Sequence, residues 1–123
     1  MQNGFNAYAA AAKTAQSVVS PRELEASLLI KAAMRLQAVA DDWNLRDREL
    51  DDALTYNRRL WTLLVSAVTA EDNPLPVGIK TNILGLANFI FNQTFRISSD
   101  PHPQALAALI GINRDIAAGL RGR

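Results

Sequence analysis

The sequence predicts an all-α protein, an antiparallel helical bundle of about four main helices with a loosely held N-terminal arm. Apolar residues recur at helical steps of three and four, and β-branched residues never alternate cleanly over a run of five or more. Prolines and polar turns divide the chain into four helical segments joined by short connections, which favour antiparallel neighbours. The 123 residues suit one domain. We assign residues 1–19 to the arm and residues 20–123 to the bundle.

The first helix is predicted to begin at Ser20–Glu23 and to end near Trp43. Ser20 can cap the helix, Pro21 fits the first turn, and Glu23 can complete a capping box. Most of the circumference is apolar, which predicts cover on more than one side. A line of polar residues four apart interrupts it: Glu23, Ser27, Lys31 and Arg35.

The second helix, from about Asp47 to Ala70, has the most regular pattern in the chain. Its apolar seam, interrupted by one asparagine, is Leu50, Leu54, Asn57, Trp61, Leu64 and Val68. Its polar back is Arg48, Asp52, Thr55, Arg59, Thr62, Ser66 and Thr69. A seam with such a back is typical of helices packed in a bundle.

The third helix follows Pro74 and Pro76 and is predicted from about Val77 to Ile97. Its predicted seam is Ile79, Ile83, Leu86 and Ile90. A second apolar line, Leu84, Ala87, Phe91 and Phe95, is accompanied by Asn88 and Asn92. This helix is therefore apolar on more faces than one core requires.

The fourth helix follows Pro101 and Pro103 and is predicted from about Gln104 to Leu120, before a short frayed end at residues 121–123. Its seam has heptad-like steps: Leu106, Leu109, Asn113, Ile116 and Leu120.

Composition excludes many classes of function. The chain has no cysteine and one histidine, which excludes disulfides and thiol catalysis and leaves no His pair for a metal. We expect no enzyme activity, no cofactor and no metal. The carboxylates between the first two helices, from Asp41 to Asp52, are interpreted as helix-capping and solvated groups.

We expect a cytoplasmic protein without membrane insertion, because no export signal or apolar run of membrane-spanning length appears.

The predicted binding surface is apolar. We select Phe89, Phe91 and Phe95 on the third helix, with Asn88 and Asn92 as partners for a bound backbone. A packed core with satisfied asparagines, or a homodimer face, remains an alternative interpretation of the same residues.

A second choice is Tyr56, Arg58 and Arg59, where arginine beside an aromatic residue could also stack on bases. Direct RNA binding stays an alternative. The net charge of +1 and the place of Trp61 in the apolar seam argue against it.

Several segments resemble the flagellar biosynthesis regulator FlaF family of alphaproteobacteria. They occur in the family's order over nearly the whole chain: residues 6–9, 20–26, 56–62, 72–76, 92–94 and 112–120. Asp115 stands where the family pattern allows Glu.

The resemblance implies a cytoplasmic flagellar assembly factor that binds flagellin as a secretion chaperone and regulates flagellin synthesis. It also implies a partner regulator, FlbT. The alternative is a post-transcriptional regulator of flagellin mRNA, acting directly or through FlbT. The site residues named above come from the sequence pattern and not from the family.

Overall fold

The computed structural model describes residues 21–122 and is helical through most of them. Four α-helices follow in order: α1 Pro21–Asp41, α2 Asp51–Thr69, α3 Val77–Ser99 and α4 Leu106–Leu120. This range contains no strand, and the all-α prediction is confirmed. None of its helices has the length and hydropathy needed to cross a membrane. The predicted arm, residues 1–19, and the capping residue Ser20 lie outside the described residues.

The helices form a ring in which α1 packs against α2 and α4, and α3 packs against the same two neighbours. Arg121 near the end of α4 contacts Glu23 at the start of α1, and Asn113 contacts Leu29 further along. The two helices therefore run antiparallel. They also make the most extensive contact in the bundle, because alanines such as Ala33 and Ala117 allow close approach. The predicted bundle is confirmed.

The connection between α1 and α2 has helical structure of its own. A 3₁₀ turn at Trp43–Leu45 is followed by a π-helical turn at Arg46–Leu50, so regular α-helix ends and restarts inside the predicted limits. The side chain of Asp42 accepts a hydrogen bond from the backbone N–H of Asn44 at 3.3 Å. This bond matches the capping role expected for a carboxylate in the turn.

The predicted seams of α2 and α4 are confirmed at every position, since all eleven side chains are buried. The first seam consists of Leu50, which ends the π-helical turn before α2, and of Leu54, Asn57, Trp61, Leu64 and Val68 in α2. The α4 members are Leu106, Leu109, Asn113, Ile116 and Leu120. The polar back of α2 is exposed, except that Thr55 is half-buried. Because the steps of three and four match the helical period, sequence alone identified these inward faces.

The seam predicted for α3 is partly wrong. Ile83 and Ile90 are fully buried, but Leu86 is half-buried and Ile79 is 41% exposed. The buried line is instead Ile83, Ala87, Ile90, Thr94 and Ile97. The interior tolerates Thr94 because its hydroxyl donates to the carbonyl oxygen of Ile90 at 2.7 Å. A threonine whose hydroxyl is hydrogen-bonded in this way can lie in the core. A prediction based only on apolar residues does not include it.

The predicted cover of α1 on more than one side is confirmed, whereas one expectation for the chain end needs correction. α1 is covered by both α2 and α4, and Leu29 is fully buried, although Met34 is 62% exposed. The predicted fraying does not apply to Arg121. Its Nε donates to both carboxylate oxygens of Glu23, at 2.8 and 3.0 Å, and this hydrogen bonding raises the pKa of Arg121.

Candidate functional site

One side of α3 presents apolar side chains to solvent. Four apolar residues and one asparagine form what we call the α3 stripe: Val77, Leu84, Asn88, Phe91 and Phe95. Steps of seven, four, three and four place them on one face of the helix. Val77 is 78% exposed and Phe95 is 74% exposed, while Phe91 is half-buried against the core. Among the described residues, three of the six large apolar side chains that are exposed, Val77, Leu84 and Phe95, belong to the α3 stripe.

The α3 stripe exists because the core takes a different line of α3. Ile83, Ala87 and Ile90 face inward, so residues one position beyond Ile83 and Ala87 turn toward the outside. Leu84 and Asn88 occupy those positions and are exposed. The helix thus buries one apolar line and leaves the next one partly uncovered.

The structure separates the three phenylalanines selected from sequence. Phe91 and Phe95, four residues apart, share the α3 stripe. Phe89 is 42% exposed but lies on a different face, because two-residue spacing from Phe91 does not bring side chains together. Asn88 belongs to the α3 stripe, and Asn92 is exposed beside it. Both amides are therefore open to solvent.

At its C-terminal end, the α3 stripe continues into a shallow open depression of about 580 Å³. Phe95 and Ile97 contribute apolar surface, and the side chain of Gln93 reaches toward the carbonyl oxygen of Ala105 at 3.5 Å. The only charged side chains within α3 are Lys80 and Arg96, both basic. The depression is also lined by the exposed carboxylate of Asp100, so its rim carries both charges around an apolar surface.

Val77 and Leu84 were not selected from sequence as site residues. The signal that could have found them is the seven-residue spacing Val77, Leu84 and Phe91, which continues the face of Phe95. The site residues were selected from sequence by their aromatic character, and this criterion included Phe89. The seven-residue spacing does not include Phe89.

The second choice from sequence is not one site. The ring of Tyr56 is half-buried against α1, with the guanidinium of Arg35 5.0 Å and the ammonium of Lys31 5.7 Å from its centre. Arg58 and Arg59 are exposed. Arg58 lies two residues from Tyr56 and so points to a nearly opposite side. Tyr56 is thus engaged within the bundle, and the two arginines are left as separate surface charges.

Burial raises the pKa of the Tyr56 phenol above its ordinary 10.0, against an opposing effect of the Arg35 charge. A raised folded pKa means that the stability linked to the neutral phenol is complete below pH 10 and is lost as pH rises through the folded pKa. In a Tyr8→Phe variant, which keeps Tyr56 as its only tyrosine, ultraviolet titration should place phenolate formation above that of the unfolded chain. Coincident titration curves with and without denaturant would contradict the burial of this ring.

The other two asparagines lie in the core. The indole Nε1 of Trp61 donates to Oδ1 of Asn113 at 2.9 Å, and Nδ2 of Asn113 donates to Oδ1 of Asn57 at 2.7 Å. The same Nδ2 is 3.3 Å from the carbonyl oxygen of Leu29. This amide network joins α1, α2 and α4 and is closed to partners. Nδ2 of Asn57 is buried without a hydrogen-bond partner in the described structure.

Within residues 21–122 no group of three or more His, Cys, Asp or Glu side chains is placed to hold a metal ion. His102 and Asp100, 3.2 Å apart, are both exposed. A second depression, of about 270 Å³, lies beside Met34 and has charged residues, including Glu49, at its rim. The α3 stripe is therefore the candidate site that the geometry of the described residues supports best.

Comparison with known proteins gives one match. The family model described as flagellar protein FlaF matches residues 5–120, which is nearly the whole chain. No curated protein and no solved structure matches.

Proposed function

This chain belongs to the flagellar protein FlaF family, and on that premise we propose that it binds flagellin in the cytoplasm and keeps it competent for export. It would act as a binding protein, without catalysis and without a cofactor. The observation that carries the proposal is the α3 stripe, an exposed apolar line in a protein of a flagellar family.

The α3 stripe has the form that an amphipathic helix recognises. Its positions repeat with the helical period, so a partner helix with the same spacing can pack along it. From Val77 to Phe95 the stripe extends about 27 Å, or five turns of helix. Flagellin subunits end in long amphipathic segments that must stay unpolymerised until export. Covering the apolar side of such a segment would prevent its self-association.

A regulatory function is our second proposal: action on flagellin mRNA, directly or through the regulator FlbT. Its support is the exposed pair Arg58 and Arg59 on α2, whose guanidinium groups are free of the core. The net charge of +1 argues against direct contact with RNA, because proteins that neutralise many phosphates are usually strongly basic. Action through FlbT needs no RNA contact by this chain.

The proposed contact predicts which substitutions abolish flagellin binding. Leu84→Ser and Phe95→Ser should each weaken binding about tenfold or more, because each removes an apolar contact of the kind that dominates interface energy. Phe89→Ser is the matched control, since it removes an equally large exposed ring from another face of α3. Flagellin retention on the immobilised protein measures the effect, and unchanged circular dichroism shows that each variant is folded.

Two outcomes would reject parts of the proposal. Full binding by the Leu84→Ser and Phe95→Ser variants would move the site away from the α3 stripe. The affinity of a complex held by apolar contacts should change little between low and moderate salt. The affinity of a complex with several phosphate contacts falls by orders of magnitude over the same range. Failure of the parent to bind flagellin, with salt-sensitive binding to its transcript, would replace the chaperone function with the regulatory one.

A further inference from the structure

The spacing of the α3 stripe is the same in both directions along the helix. Thr81, which is also exposed, divides its step of seven into four and three. The positions from Val77 to Phe95 then follow steps of four, three, four, three and four. Positions equally far from residue 86 correspond in pairs: Val77 with Phe95, Thr81 with Phe91, and Leu84 with Asn88. A contact between two copies related by a twofold axis requires this symmetry, because residue i of one copy meets residue j of the other and the reverse.

We propose that the α3 stripe is the contact of a homodimer, in which the α3 helices of two copies pack antiparallel and cross at residue 86. Val77 of each copy would lie beside Phe95 of the other, and Thr81 beside Phe91. Each aromatic ring thus meets a smaller side chain, as close packing between two helices requires. Asn88 would lie beside Leu84 of the other copy, and a polar residue at such a position fixes the register of paired helices.

The charges of α3 favour the antiparallel direction. Antiparallel pairing separates the two copies of Lys80 by about 18 Å and those of Arg96 by about 30 Å along the helix axis, whereas parallel pairing would bring each beside its own copy. Arg96 would lie at the level of residue 76 of the other copy, close to the turn in which Glu71 and Asp72 are exposed. Asp100, at the same end as Arg96, contacts His102 at 3.2 Å. Opposite charges therefore approach each other at both ends of the proposed contact.

The proposed contact is small. It is one helix wide and five turns long, about 10 Å by 27 Å, which is well below the roughly 800 Å² per partner of a standard stable interface. We therefore expect a reversible dimer with a dissociation constant of about 10 μM or weaker. Such a dimer would cover Val77 and Phe95, which are 78% and 74% exposed in the single chain.

A reversible dimer would also regulate access to this face. Flagellin and the second copy would bind the same side chains, so dimerisation and flagellin binding would exclude each other. This competition rests on the proposed function, whereas the dimer rests only on the spacing, exposure and charges of the bundle.

Sedimentation equilibrium of the full chain tests the dimer. The average mass of the parent should rise from that of one chain toward that of two between about 1 μM and about 300 μM. Leu84→Asp should prevent the rise, because the two carboxylates would lie about 6 Å apart along the helix axis. Phe89→Asp is the matched control, since it places the same group on another exposed face of α3 and should leave the dimer intact. Circular dichroism shows that both variants are folded.

Two results of this measurement would overturn the proposal. The first is a parent that remains monomeric at about 300 μM. The second is a dimer that Leu84→Asp does not weaken more than Phe89→Asp does, which would place the contact away from the α3 stripe.

Single cysteines test the direction of the helices, because the chain contains none of its own. Gly85 and Asn92 are exposed on the same side of α3, seven residues apart, and a Cβ added at Gly85 would meet no atom within 4 Å. In the proposed dimer the two copies of residue 85 lie about 3 Å apart along the axis, and those of residue 92 about 18 Å apart. A short bismaleimide should therefore cross-link Gly85→Cys about tenfold more than Asn92→Cys. Equal cross-linking would indicate parallel helices and overturn the proposed register.

The cross-linked Gly85→Cys dimer tests the competition separately. It should bind flagellin about tenfold or more weakly than the same variant before cross-linking, because its α3 stripe stays covered. Equal affinity would reject the competition and retain the dimer. Failure of the parent to bind flagellin would reject the proposed function and the competition, and sedimentation would still decide the dimer.

Discussion

Replacing Leu64 with Asp should unfold the bundle at neutral pH. Leu64 is 2% exposed within the α2 seam, so the substitution removes buried apolar surface and places a carboxylate in the core. The loss of the leucine alone costs about 2–3 kcal/mol, and an unpaired buried charge adds about 3–5 kcal/mol. The sum is comparable to the whole stability of a typical domain, about 5–15 kcal/mol. Circular dichroism and thermal denaturation measure the effect.

The matched control is Leu84→Asp, which makes the same chemical change on the exposed α3 stripe. That variant should stay folded, because its carboxylate remains in water. Arg59→Ala, on the exposed back of α2, should leave stability nearly unchanged. Equal melting temperatures for Leu64→Asp and the parent would refute the assignment of Leu64 to the core.

Leucine substitutions should affect the two core asparagines very unequally. Asn113→Leu removes the acceptor of Trp61 Nε1 and the donor to Asn57 Oδ1, leaving two buried groups unpaired. At about 1–3 kcal/mol for each group, the loss should be about 3–4 kcal/mol. Asn57→Leu removes an amide whose Nδ2 is already unpaired, and Asn113 Nδ2 keeps its contact with the carbonyl oxygen of Leu29. Its cost should be about 1 kcal/mol or less.

Denaturant titration of the two variants measures this difference. Both substitutions exchange an amide for an aliphatic side chain of similar size, so each serves as the control for the other. Equal losses of unfolding free energy would show that the network does not centre on Asn113. A larger loss for Asn57→Leu would reverse the roles of the two amides.

Sequence alone determined the family, the number of helices and the inward faces of α2 and α4. The proline-containing turns around Pro74 and Pro101 divide the chain because proline cannot continue a helix through its interior. The seams of α2 and α4 were readable because polar residues occupy the opposite side, so the apolar line is unambiguous. When apolar and polar residues lie on opposite faces of a helix, its inward face can be predicted from its own sequence, without its neighbours in the fold.

Tertiary structure decided which apolar line of α3 is buried and what each asparagine does. α3 has two apolar lines, and its local pattern does not select between them. The choice depends on how α2 and α4 approach, which buries Thr94 and exposes Ile79 and Phe95. Asn57 and Asn113 look like Asn88 and Asn92 in sequence, yet the first pair bonds within the core and the second faces solvent. Burial and hydrogen-bond partners arise between helices, so a pattern within one helix does not contain them.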